Sequence, residues 1–143
     1  MRRLSSALIL VAGGALAHSG ATGVVKQRMD GMEEMGYAAK ALGAIKLGAI
    51  PFSAETLKRA GSEIARHAEA AKELFPEGSG GAPSDAKPLI WEDRAGFDRL
   101  MEDLRLASER LAFEADETPE TLALIDEIGG YCKDCHGLYR AKQ

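Results

Sequence analysis

Apolar residues recur every three or four positions in four stretches of the chain, which is the spacing of amphipathic helices. The first helix begins at about Gly23 and ends before Pro51, since proline disfavours the helical conformation of the residue before it. The second begins at an N-cap, Ser53, and ends at Pro76. Their apolar faces are Val25, Met29, Met32, Met35, Ala39 and Leu42, then Leu57, Ala60, Ile64, Ala68, Ala71 and Leu74.

The third helix begins at about Trp91, after a connection rich in proline and glycine that runs from Pro76 to Pro88. Its apolar face is Phe97, Leu100, Met101, Leu104, Ala107 and Leu111. The fourth begins after the N-cap Thr118, with Pro119 in the first helical position, and runs to the C-terminus. With no alternating strand pattern, the sequence predicts an all-α fold, an antiparallel four-helix bundle with up-down-up-down connectivity.

Length and composition indicate the number of domains, how the core is filled and which partners are disfavoured. The chain has 143 residues, 45% apolar and 28% charged, which is typical of one domain. Many inward positions are alanine or glycine, too small to fill a bundle at native packing density, so a large apolar ligand would complete the core. The net charge of −4 disfavours nucleic acid as a partner, because phosphate binding requires a basic surface.

The first 17 residues have the features of a secretory signal peptide. Arg2 and Arg3 precede an apolar run from Leu4 to Leu16, and Ala15-Leu16-Ala17 is a small-x-small cleavage signal. The run is too short to span a bilayer. We predict a cleaved leader at 1–17 and a mature, periplasmic domain at 18–143. The alternative, a buried N-terminal helix of a cytosolic protein, is disfavoured by the charge asymmetry and the cleavage signal.

The fourth helix contains Cys132-Lys133-Asp134-Cys135-His136, the C-x-x-C-H arrangement of covalent c-type haem attachment. Residues three and four apart share a helical face, so Cys132, Cys135 and His136 project to one side. Two thiols can then add to the two vinyl groups of one porphyrin while the imidazole reaches its iron. The spacing therefore predicts one covalently bound haem c near the C-terminal helix.

Other interpretations of the two cysteines fit the chain less well. A redox-active C-x-x-C requires a strand-helix-strand context, and a zinc site requires further ligands, whereas His18 and His67 lie far away in sequence. His67 is better interpreted as a partly exposed surface histidine than as a second haem ligand. A disulfide between Cys132 and Cys135 remains an alternative. So does an exported four-helix interaction module in which the motif is incidental.

A four-helix bundle with C-x-x-C-H in its last helix resembles the class II cytochromes c, the cytochrome c′ family. The resemblance rests on Lys26-Gln27-Arg28, on Lys87-Pro88-Leu89-Ile90-Trp91 and on the segment from Cys132 to Arg140. It implies His136 as the proximal iron ligand, Arg28 beside the haem propionates and Arg140 on the proximal side. It also places position 32 on the distal side of the iron and suggests a homodimer through the first two helices.

Met32 decides between the two branches of that family. A thioether favours ferrous iron and raises the reduction potential, as expected of a low-spin carrier that transfers one electron. Met29 and Met35 are the fallback ligands. The alternative is a high-spin, five-coordinate cytochrome c′ that binds NO or CO at a vacant distal site, with Met32 only lining it.

The sequence gives no sign of a substrate pocket with paired carboxylates or a nucleophile-base arrangement, so we expect an electron-transfer protein and no turnover of an organic substrate. Its partners would be redox proteins of unknown identity. Trp91 is predicted to close one end of the bundle, with its indole N–H bonded to a polar group.

Overall fold

The computed structural model describes residues 20–142, and the regular elements in that range are all helices. The five helices are α1 Gly23–Lys46, α2 Ala54–Ala71, α3 Leu89–Glu92, α4 Arg94–Glu114 and α5 Pro119–Tyr139. The prediction of an all-α fold is confirmed. The predicted leader, residues 1–17, lies outside the described residues.

Two predicted helix starts are confirmed by their caps. The Ser53 hydroxyl accepts a hydrogen bond from the Thr56 amide at 3.1 Å, which closes the first turn of α2. The Thr118 hydroxyl accepts from the Thr121 amide at 3.2 Å, and Pro119 follows in the first turn of α5. These bonds span three residues, so the local sequence is sufficient to predict them.

The predicted third helix is interrupted at one residue. Asp93 has a non-helical backbone, with φ −119° and ψ 56°, and it separates the single turn of α3 from α4. Its carboxylate accepts a hydrogen bond from the Gly96 amide at 3.1 Å and so caps α4. The prediction of one helix from about Trp91 was therefore wrong, because Asp93 serves as a new N-cap.

Two predicted helix ends were also wrong. The second helix ends at Ala71 and not at Pro76, because the amides of Lys72, Glu73 and Leu74 bond to carbonyls three residues earlier and so form turns. Pro76 has no N–H to donate to the Lys72 carbonyl, which accepts from the Arg94 guanidinium instead. The fourth helix ends at Tyr139 and not at the C-terminus. Arg140 has an extended backbone there and pairs with Ala86 in an isolated antiparallel bridge. At the end of α5 a distant segment, residues 85–87, binds backbone groups that would have continued the helix.

Consecutive long helices are neighbours, as up-down-up-down connectivity requires, and α2 packs most extensively against α4. Gly61 permits this close approach, because a Cβ there would lie 2.6 Å from the Ser108 carbonyl oxygen. The α1–α5 pair, which closes the bundle, makes less extensive contact. The largest fully buried apolar side chains are Phe97, Leu42, Leu57, Ile64, Met101, Leu111 and Ile128.

Within residues 20–142, none of the helices combines the length and apolar character needed to cross a bilayer.

Candidate functional site

The C-x-x-C-H residues lie on the last two turns of α5. The helix is continuous to Tyr139, so Cys132, Cys135 and His136 share one side as their spacing predicts. Cys135 is buried, Cys132 is partly exposed, and His136 is exposed. Both thiols are free in the structure. The three side chains therefore lie at the edge of the core, where a large ligand can reach them.

The surroundings of these three groups favour their neutral forms. Burial raises the pKa of the Cys132 thiol, and burial together with the nearby Cys132 raises the pKa of Cys135 to about 11. Partial desolvation, and then the positive charge of Arg140, lower the pKa of His136. A neutral imidazole has a free lone pair, which is the form that ligates iron.

An open face of α1 borders the same hydrophobic core. Met32, Gly36, Ala39 and Gly43 follow one another at helical spacings of four, three and four residues, so they share a face. Each is only partly buried. No atom of residues 20–142 outside the helix backbone would contact a Cβ built at Gly36 or Gly43.

This open face points away from α2. Gly31 of α1 faces α2, because a Cβ there would lie 2.9 Å from the His67 ring. Met35 and Leu42 of α1 enter the core, and the open face lies on the far side of them. On α5, a Cβ at Gly129, one turn before Cys132, would also find free space within the described chain. Small residues on both helices, with two thiols and an imidazole beside them, fit a flat apolar macrocycle.

The three methionines of α1 have different environments. Met35 is 8% exposed and belongs to the hydrophobic core, so it acts as a packing residue. Met32 is partly buried and packs against the edge of that core. Met29 is partly buried and lies outside the core cluster. Of the three, Met32 combines a supported side chain with a position on the open face.

Arg28 is buried at 3% exposure and binds the connection between α2 and α3. One terminal nitrogen donates to the Leu74 carbonyl at 3.2 Å and to the Ser79 hydroxyl at 2.8 Å. The other donates to the Ser79 carbonyl at 2.5 Å and to the Ser84 hydroxyl at 2.7 Å. The guanidinium also lies 4.5 Å above the Phe75 ring. The predicted contact of Arg28 with haem propionates stays a prediction.

The C-terminal end of α5 is held by residues 85–87. The Lys87 amide donates to the Tyr139 carbonyl at 2.9 Å, and the Ala141 amide donates to the Asp85 carbonyl at 2.8 Å. The exposed guanidinium of Arg140 forms an ion pair with Asp85 at 3.5 Å. The structure thus places Arg140 four residues after His136 and paired with an acid. Its predicted role on the proximal side of the haem stays a prediction.

An aromatic cluster joins the same connection to α5. The indole N–H of Trp91 donates to the Phe75 and Pro76 carbonyls at 3.1 and 3.0 Å, which confirms the predicted polar partner. The Phe75 ring packs edge-on against Phe97, with centroids 4.9 Å apart, and Phe97 packs against Tyr139 at 5.5 Å. The contacts of Phe75 and Tyr139 with Phe97 were not predicted, because no local pattern marks contacts between segments so far apart in the chain.

His67 lies where α2 meets α1, and its side chain is 11% exposed. Its ring faces Gly31, and its Nε2 atom approaches the carboxylates of Glu34 and Glu63. The expectation of a partly exposed histidine agrees with this position.

Comparison with known proteins shows the family of this chain. A family profile described as Cytochrome C′ matches residues 23–140. Cytochrome c′ of Rhodopseudomonas palustris (strain ATCC BAA-98 / CGA009) is 31% identical over 141 residues, which cover 98% of this chain and 94% of that protein. Cytochrome c-556 of Agrobacterium tumefaciens (strain II Chrys) is 33% identical over 129 residues, which cover 85% and 99% of the two chains.

Solved structures lead to the same result. The structure of cytochrome c′ from Rhodopseudomonas palustris superposes with a TM-score of 0.78 at 33% identity, covering 86% of this chain and 99% of that one. The NMR-validated structure of oxidised R. palustris cytochrome c556 gives 0.75 at 27% identity, covering 84% and 97%. Because the profile and these relatives span most of the chain, the chain belongs to the cytochrome c′ family, whose members bind one covalent haem c.

Proposed function

We propose that this protein is a periplasmic carrier of single electrons. In this proposal Cys132 and Cys135 hold the haem as thioethers, His136 is the proximal iron ligand, and Met32 is the distal ligand. The bound haem supplies an iron that alternates between the ferrous and ferric states. The observation that supports the proposal is that Met32, on the open face of α1, packs against the same hydrophobic core as Cys132 and Cys135.

Met32 is suited to ligation by its chemistry and by its support. Its thioether is a soft, neutral ligand, which favours the ferrous state and raises the reduction potential. The side chain packs against the core, so little rotamer freedom is lost when the sulfur is held in one place. By filling the distal position it would exclude water and small gases there.

His136 and its helix supply the other half of the site. The neutral imidazole can donate its lone pair without first losing a proton. Two covalent links on the same helix keep that imidazole at high effective concentration near the iron in both oxidation states. The hydrogen bonds from residues 85–87 to the end of α5 limit its movement. A rigid set of iron ligands lowers the reorganisation energy of electron transfer.

The optical spectrum of the ferrous protein, with and without carbon monoxide, tests the distal ligand. We expect a sharp α band and no reaction with carbon monoxide for the wild-type protein. Met32→Ala should give a broad high-spin spectrum and bind the gas. Met29→Ala, one turn earlier on the same helix, is the matched control and should leave the spectrum unchanged. If Met32→Ala also leaves it unchanged, Met32 is not a ligand.

The relatives support a second function to the same extent. Cytochrome c′ and cytochrome c-556 relatives match this chain at similar identity, 31% and 33%, over most of its length. In this alternative the protein is high-spin and five-coordinate, Met32 only lines the distal pocket, and NO or CO binds there. A broad wild-type spectrum that changes on addition of either gas would establish it.

Mass spectrometry of exported protein tests haem attachment and processing together. We expect a chain that begins at His18 and carries the mass of one haem. Cys132→Ala with Cys135→Ala should abolish the covalent adduct. A colourless, folded wild-type protein with free thiols would instead favour an interaction module that uses no haem. Recovery of the haem-bearing chain from the periplasmic fraction is the expected result for its location.

We also propose a homodimer through α1 and α2. Tyr37, Leu47 and Ile50 expose apolar surface on these helices and the turn between them, and Ala38 and Ala41 line the adjacent groove. Sedimentation equilibrium of the holoprotein should give twice the monomer mass, and Ala41→Glu should shift it toward the monomer. A concentration-independent monomer would contradict this proposal.

A further inference from the structure

Three side chains outside the haem site converge on one point at the outer surface of α1 and α2. The Nε2 atom of His67 lies 2.5 Å from a Glu34 carboxylate oxygen and 3.0 Å from a Glu63 carboxylate oxygen. One ligand atom from each residue lies within 4.8 Å of the other two. Glu34 belongs to α1, and Glu63 and His67 lie one turn apart on α2.

The imidazole is held in place before any ligand binds. Its Nδ1 side faces Gly31 of α1, where even a methyl group would lie 2.9 Å away, so the ring rests against the helix backbone. The side chain is 11% exposed, while those of Glu63 and Glu34 are 37% and 53% exposed. The imidazole therefore directs its Nε2 atom outward, toward two carboxylates that are more exposed than the ring.

A positive group already lies at this point of convergence. One terminal nitrogen of Arg66 is 2.6 Å from His67 Nε2 and 3.3 Å from the Glu34 carboxylate, and it also contacts Glu63. No protonation state of His67 satisfies all of these contacts. A protonated Nε2 would face the guanidinium donor, and an unprotonated Nε2 would turn its lone pair toward two carboxylates.

A metal ion would resolve this conflict, since all three side chains would direct lone pairs at one cation. Two carboxylates also carry one more negative charge than Arg66 balances. The Arg66 side chain is 58% exposed, so it can move into solvent when a divalent ion replaces it. We propose that Glu34, Glu63 and His67 bind a divalent first-row transition-metal ion. One imidazole nitrogen and two carboxylate oxygens leave a fourth position for water, a ligand set that Zn²⁺ accepts.

Isothermal titration of the tag-free holoprotein with Zn²⁺ tests this proposal. Because Glu34 and Glu63 line the groove that the proposed dimer would cover, the titration uses both the wild-type chain and Ala41→Glu, in which the groove should be free. We expect saturable binding of one ion per chain and no change in the haem spectrum. His67→Ala should raise Kd by about tenfold or more, since loss of outer-shell groups alone costs about 10- to 100-fold. Arg66→Gln should lower Kd, because it removes the competing cation. Glu69→Gln, on the same helix but paired with Lys72 and Arg105, is the matched control and should leave Kd unchanged.

Titration with Ca²⁺ separates this site from a simple acidic patch, because Ca²⁺ prefers oxygen ligands and should give no saturable heat. Glu63→Gln provides a second ligand variant if His67→Ala fails to fold, and it should also raise Kd. The proposal would be overturned by the absence of saturable Zn²⁺ binding to the wild-type protein. The proposal would also be overturned if His67→Ala and Glu63→Gln both bound Zn²⁺ with the wild-type Kd. It would likewise be overturned if the Kd of Arg66→Gln did not fall below that of the wild type. None of these outcomes depends on which residue ligates the haem iron.

Discussion

The Arg28 guanidinium donates to the Ser79 hydroxyl at 2.8 Å and so joins α1 to the connection that precedes α3. Together with its bonds to Leu74 and Ser84, this contact makes Arg28 a polar attachment of that connection to α1. The connection in turn holds the end of α5 through residues 85–87. A side chain on the first helix therefore supports the helix that carries the C-x-x-C-H residues.

Arg28→Lys should loosen this attachment. Lysine keeps the charge but cannot bridge several acceptors with a planar fork, so we expect the free energy of unfolding to fall by about 1.5–3 kcal/mol. Limited proteolysis should cut residues 76–88 faster, as followed by mass spectrometry. Lys26→Ala, which removes an exposed pair with Asp30 on the same helix, should change stability by less than about 0.5 kcal/mol. Unchanged cleavage in Arg28→Lys would show that other contacts hold the connection.

Gly61→Ala should destabilise the α2–α4 contact. The added methyl group would lie 2.6 Å from the Ser108 carbonyl oxygen and 3.0 Å from the Ala112 amide nitrogen, and both are backbone atoms. Overpacking of this kind costs about 1–3 kcal/mol, which urea denaturation can measure. Ser62→Ala, at the exposed neighbouring position, should change stability by less than about 0.5 kcal/mol. A stabilised Gly61→Ala protein would mean that the two helices separate easily.

Glu102→Gln should remove a pH-dependent contribution to stability. Hydrogen bonds from Arg105, and then from Lys72, lower the pKa of Glu102 from 4.5 to about 2. A carboxylate whose pKa is lowered by folding stabilises the folded state above its unfolded pKa, and that contribution is lost as pH falls. The wild-type protein should thus be more stable than the variant at pH 7.

The difference between wild type and Glu102→Gln should shrink as the pH falls from about 4.5 toward 2. Because the Glu102 side chain is 38% exposed, added salt should also reduce it. Urea denaturation across this pH range is the measurement. A difference that does not vary with pH would assign the effect to packing and not to charge.

Tyr139→Phe should weaken the attachment of α5 to the cap of α4. The buried phenol donates to the Asp93 carboxylate at 2.9 Å, and burial, followed by this bond, raises the pKa of Tyr139 to about 12. Loss of the bond should lower the free energy of unfolding by about 1 kcal/mol. Tyr37→Phe removes a similar bond to Glu33 at 3.0 Å on an exposed ring and should have a smaller effect. Equal effects of the two substitutions would contradict this difference in burial.

Local signals predicted the features that depend on neighbouring residues. The caps at Ser53 and Thr118 involve amides three residues away, and the structure has them as expected. The predicted helix ends were less accurate. At Tyr139, backbone groups are bound by residues 85–87, and no short-range pattern reports such contacts. The break at Asp93 was the exception, because an aspartate three residues before a glycine amide is a local cap that sequence analysis overlooked.

The sequence by itself determined that Cys132, Cys135 and His136 share one side of a helix, because the period of the α-helix fixes the direction of residues three and four apart. Only the tertiary structure decided that Arg28 binds a connection about 50 residues away, that Gly61 lies against the backbone of α4, and that His67 meets Glu34. These contacts depend on how helices pack against one another. Many side chains contribute to that packing together, and no short segment contains it.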